Sequence, residues 1–119
     1  MDTGTRDLLE EIHAEMRAAG EQVQAPASAQ ALASLRDYAA RELHAVLPQA
    51  YVDFLCEADG LDFNGTVIYA TRQRALPGGL TLQDFPESNR AFRGVEPRDH
   101  IVFGETGDEL YTLERTTSA

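Results

Sequence analysis

A chain of 119 residues with 43% hydrophobic and 25% charged side chains has material for a single buried core and is too apolar to stay disordered. Twenty acidic residues against ten arginines and no lysine give a net charge of −10, which counts against nucleic acid as a partner because that ligand demands a positive surface. Cys56 is the only cysteine, which excludes an intrachain disulfide and a multi-cysteine zinc site. No apolar run approaches the roughly 18 residues of a membrane span, and MDTGTRDLLEE lacks the layout of a signal peptide. One cytoplasmic domain over residues 1–119, without a membrane, is therefore expected.

The first helix is predicted over residues 5–19, with Leu8, Leu9, Ile12, Met16 and Ala19 on its apolar face and Gly20 as its stop. His13 falls beside that face and has no companion at a metal-ligand spacing. EQVQAPAS is a loop. Ser28 then caps a second helix running to about residue 42, with Leu32, Leu35, Ala39 and Leu43 inward. The connector HAVL is too short to hold the next helix far away, so the second and third helices are expected side by side.

Residues 47–70, LPQAYVDFLCEADGLDFNGTVIYA, organise the rest. Pro48 suits a first helical position; Tyr51, Phe54, Leu55 and Ala58 follow at the spacing of one buried face, and Gly60 stands where a helix-ending glycine is commonest. Asn64-Gly65, between Leu61/Phe63 and Val67/Ile68/Tyr69, is a strong signal for a tight hairpin. This run of a Leu-Pro helix start, Tyr51 and Phe54-Leu55, a Gly60 stop and Phe63-Asn64-Gly65 leading to Tyr69 resembles the SUKH superfamily. These are the Smi/Knr-like immunity domains, and the similarity is greatest to their YrhA-like bacterial branch. It covers roughly residues 28–69. The resemblance implies an α+β fold, N-terminal helices packed on a mostly antiparallel sheet, and a non-catalytic bacterial protein that binds and neutralises a cognate toxin. The alternative it leaves is a non-enzymatic scaffold or regulatory interaction module of Smi/Knr type.

Beyond Tyr69, Arg72, Gln73 and Arg74 look solvent-facing and Pro77-Gly78-Gly79 is a turn. Pro86 is expected to interrupt regular structure, leaving at most a turn or two of helix over residues 87–92, then a polar loop over 93–99. Strands are predicted at 100–104 and 109–114, joined by Gly107-Asp108. SUKH domains continue past such a hairpin, whereas RTTSA follows here, as in a short variant or an incomplete chain; an open sheet edge is therefore expected to take a second copy, as a homodimer, or a partner strand.

Chemistry finds little support in the sequence. Cys56 with His44 or His100 is a poor nucleophile and base, because Cys56 sits mid-helix rather than at a helix N-terminus. Asp59 and Asp62 flank Gly60 and are expected to cap and solvate a turn. No catalytic residue, metal or cofactor is expected. Binding has a basis in charge: residues 1–60 hold eleven acids and four arginines, and residues 61–119 hold nine and six. The expected partner is a toxin with a basic active-site surface, met by Asp62, Glu105, Asp108 and Glu109.

Overall fold

The computed structural model describes residues 3–91, 100–107, 109–114 and 116–117. The loop expected over 93–99 and the proposed contact Asp108 lie outside them.

The fold is α+β, as expected: helices pack on a mostly antiparallel sheet. Helix α1 (Thr3–Ala18) ends as the sequence predicts. Gly20 takes φ +76°, its N–H donates to Arg17 O and that of Glu21 donates to Met16 O, the pair of bonds that closes a Schellman motif. The buried face is narrower than expected. Leu9, His13 and Met16 point inward, while Leu8 is 57% exposed. Of two adjacent leucines a helix can bury only one fully on a narrow seam, and Leu9 is the one in line with Met16. Helix α2 (Ala29–Leu43) starts with Ser28 Oγ accepting the Ala31 N–H at 3.0 Å, and buries Leu32, Leu35, Tyr38 and Ala39. His44 closes it in the left-handed region, φ 50°.

The connector after α2 is more than a link. Ala45–Val46 forms β1 and pairs antiparallel with β8 (Thr116–Thr117), so a segment after the last hairpin returns to the helical half. Pro48 is the N-cap of α3 (Gln49–Glu57) rather than its first residue: its ψ of 137° is extended, and its carbonyl accepts the first helical bonds from Tyr51 and Val52. Tyr51, Val52, Leu55 and Ala58 are buried and Phe54 packs partly against the core.

Gly60 has a different role from the one expected. Helix α3 stops at Glu57, with Ala58 already extended. Gly60, φ +98°, instead lets two segments touch: a Cβ there would meet Ala70 Cβ at 2.8 Å and Leu82 Cδ2 at 3.0 Å. Only glycine fits both the conformation and the space.

The main sheet has the order β2-β3-β6-β7, with β2 (Leu61–Phe63), β3 (Thr66–Ile68), β6 (His100–Thr106) and β7 (Glu109–Glu114). Asn64 and Gly65 both have positive φ, 53° and 80°, the mark of a type I′ turn whose twist suits the flanking strands. A bulge between Val102 and Gly104 shifts the β6–β7 register. There Asn89 substitutes for a strand: its side-chain amide accepts from Val102 N–H at 2.9 Å and donates to Val102 O at 2.8 Å.

Between the two hairpins, β4 (Arg74–Ala75) and β5 (Thr81–Leu82) pair around a 3-10 turn at Pro77–Gly79. Ala70 and Asp84 form a parallel bridge, and α4 (Phe85–Ala91) starts at once. Pro86 does not interrupt this helix; it sits in the first turn, where a missing N–H costs no helical bond. Phe85 is fully buried, with its ring 5.5 Å from that of Tyr51 and 6.4 Å from that of Tyr38. Among the described residues no helix is long and apolar enough to cross a membrane.

Candidate functional site

Strand register decides which of the expected contact residues meet. Asp62 stands opposite Val67, Val67 opposite Glu105, and Glu105 opposite Leu110, so Asp62 and Glu105 share one cross-strand row and one sheet face. Two strand spacings separate their backbones, about 10 Å. Glu109 pairs with Thr106, one row further along the same two strands. The hairpin tips at Asn64-Gly65 and Gly107 end side by side, because Thr66 pairs with Thr106 and their hydroxyls are 3.3 Å apart.

Glu105 is tied inward as well as facing the surface. Tyr69 donates its hydroxyl to Glu105 Oε2 at 2.6 Å, and the tyrosine is fully buried. Its phenol is pushed well above the ordinary range, first by burial and then by the hydrogen bond to Glu105 and that carboxylate's charge. Tyr69 is thus a neutral donor that fixes the carboxylate. Its own carbonyl accepts the hydroxyl of Tyr51, which links α3 to the sheet.

Asp59 overturns the expectation of a solvated turn. It is only 2% exposed. Thr71 donates to it through N–H and Oγ1, each at 2.7 Å, and Arg74 Nη2 closes an ion pair. Arg74 Nη1 also donates to Asp59 O at 3.1 Å, so this arginine is a clamp and not the solvent-facing residue expected. The clamp borders a cleft of about 840 Å³ whose walls include Gln24, Ser28, Tyr38, Arg72 and Pro86. With Arg72 and Arg74 against Asp59, that cleft is cationic in an otherwise acidic protein.

A smaller cleft, about 510 Å³, has the opposite sign. Gln73, Gln83, Asp84, Glu87 and Ser88 line it. Asp84 caps α4, its Oδ1 accepting the Glu87 N–H at 3.1 Å, while Glu87 pairs with Arg90. Ser88 lies near the Tyr69 phenol, so the cleft adjoins the group that holds Glu105. The sequence expectations missed this site, yet one signal was present: Asp84-Phe-Pro-Glu87 has the spacing of a helix N-terminus.

The outer face of α1 is the most acidic element surface described. Asp7, Glu10, Glu11 and Glu15 are exposed there, and Arg6 is engaged with Glu57 of α3 at 3.1 Å. Cys56 is exposed on α3, and His13 is buried in α1. Among the described residues no three His, Cys, Asp or Glu side chains group closely enough to hold a metal ion. Comparison of the chain with family models, with curated proteins and with solved structures finds no match to any of the three.

Proposed function

We propose that this chain is an immunity protein of SUKH type, which binds a cognate bacterial toxin domain in the cytoplasm and blocks it by occlusion, without turnover. The observation that carries the proposal is the distribution of charge on a cross-braced scaffold. A chain of net charge −10 sets out Asp7, Glu10, Glu11 and Glu15 on one helix and Asp62 and Glu105 in one row of the sheet. Such a field steers a basic surface toward itself and holds its contacts in register. The order of elements, helices followed by the type I′ hairpin and a second hairpin, agrees with the resemblance carried by Pro48, Tyr51, Phe54, Leu55 and Phe63 to Tyr69.

The test is co-expression with a candidate toxin encoded next to this chain, scored for survival and followed by association kinetics on the purified pair. Rescue of growth is expected, with an association rate that falls as salt rises. Reversing Glu10 and Glu11 to lysine should slow association by about tenfold with little change in melting temperature. Cys56→Ala and His44→Ala should leave protection intact. Death of cells that contain soluble protein would refute the pairing. Loss of rescue in Cys56→Ala with binding preserved would replace occlusion by catalysis.

A further inference from the structure

We infer that the outer edge of β7 (Glu109–Glu114) is a template for strand addition, taken by an extended basic segment of the protein partner. The inference rests on the reading of this chain as a toxin-binding protein and names the element the partner joins and the form in which it arrives.

Topology carries the case. Among the described residues β7 is paired with β6 alone, and every second residue of such a strand directs its N–H and C=O away from the one neighbour it has. The next strand does not cover that side: β8 turns away and pairs with Ala45–Val46. The opposite edge, β2, is three residues long, whereas β7 runs for six. The extra residue of the bulge falls in β6, so β7 itself continues without a break. Aromatic rings tie this edge to the core. Phe85 packs with Tyr51, Tyr51 lies 6.0 Å from Phe103, and Phe103 stacks on Tyr111 of β7 at 5.9 Å. Tyr111 is only half-buried, which leaves aromatic surface for a side chain of an added strand.

Charge chooses the occupant. The strand reads ELYTLE, with a glutamate at each end and neither the lysine nor the proline that commonly blunts an edge. A second copy laid antiparallel on its centre would set Glu109 against Glu114 at both ends, between two chains of net charge −10 each. Like charges directly opposed weaken a strand pair, and opposite charges strengthen it. An extended segment with an arginine or lysine at each end of a six-residue stretch would complete the backbone ladder and stand opposite both glutamates. Main-chain bonds then supply the short-range affinity that electrostatic steering alone does not.

The direct test uses the whole chain and a blocked hexapeptide, acetyl-Arg-Thr-Val-Thr-Val-Arg-amide, titrated while backbone amide resonances are followed. Two control peptides accompany it. One carries glutamate at both ends; the other keeps the arginines but has its internal peptide nitrogens methylated, which preserves the charge and removes the hydrogen-bond donors. Saturable downfield shifts are expected at alternate amide protons of residues 109–114, with the arginine peptide bound at least about tenfold more tightly than either control. Glu109→Lys combined with Glu114→Lys should reverse the preference between the arginine and glutamate peptides, a result that misfolding cannot imitate. Equal binding of the arginine peptide and its methylated form would reduce the effect to charge and overturn strand addition, as would shifts confined to other elements. Dimerisation of the unmodified chain that abolishes those shifts would give the edge to a second copy and overturn it too. Toxin rescue undiminished in the double lysine variant would refute the edge as the toxin's contact while leaving the immunity function in place. Failure of the unmodified chain to rescue, with peptide binding intact, would refute that function and leave the edge site.

Discussion

Gly60→Ala should be among the most damaging single-methyl additions in this protein, and its cost can be split into two parts. The backbone at Gly60 has φ +98°, a region costing an L-residue at least roughly 1–2 kcal/mol. The added Cβ would also lie 2.8 Å from Ala70 Cβ and 3.2 Å from Ala70 Cα, a buried contact in which backbone has to move. Overpacking of that kind adds about 1–3 kcal/mol. Gly65→Ala is the control: its φ is +80°, but nothing lies within 4 Å of the added methyl, so only the first part applies. For a chain of this length ~1 kcal/mol moves the melting temperature by about 4 °C. Gly60→Ala should therefore melt roughly 8–20 °C below the unmodified protein and Gly65→Ala roughly 4–8 °C below it. The double variant Gly60→Ala, Ala70→Gly removes the closest atom and should recover part of the difference. Thermal unfolding by circular dichroism reads all four proteins. Equal losses at the two glycines, within about 0.5 kcal/mol, would refute the close-approach role and restore Gly60 to an ordinary turn residue.

Asp59→Ala should cost about 3–5 kcal/mol, because it strands Arg74 and the Thr71 N–H in a site where the carboxylate is 2% exposed. Asp62→Ala should stay within about 0.5 kcal/mol, and urea denaturation showing similar losses for the two would contradict the clamp. His13 gives a pH signature. Burial, then the charge of Arg17, hold its imidazole below the ordinary value of 6.5, with Glu57 opposing, and its Nε2 has no hydrogen-bond partner among the described residues. The unfolded chain binds that proton more readily, so stability should be full above pH 6.5 and decline as pH falls through that value toward the lower folded pKa. His13→Leu should remove that part of the slope between pH 8 and 5.5, and an unchanged slope would show that His13 does not produce it.

What the sequence determined alone lies within a few residues of chain. Gly20 ends α1 because a left-handed residue there satisfies two carbonyls of its own last turn, and Ser28 starts α2 because its hydroxyl reaches the N–H three residues on. Asn64-Gly65 turns the first hairpin because those two residues tolerate positive φ. The acidic character of the candidate site was equally legible, since it is a count. Tertiary structure decided everything that depends on what the chain meets on its return. It chose Leu9 over Leu8 for burial, brought Arg74 to Asp59 fifteen residues away, and paired Ala45–Val46 with Thr116–Thr117. Strand register put Asp62 and Glu105 in one row and paired Glu109 with Thr106 in the next. The Asp84 cap could be found from its spacing to Glu87. Its place in a cleft could not, because Gln73 comes beside it only through the bridge between Ala70 and Asp84 and the small β4–β5 hairpin. Capping and turn energies are local, whereas burial and ion pairing depend on which distant segment displaces the water.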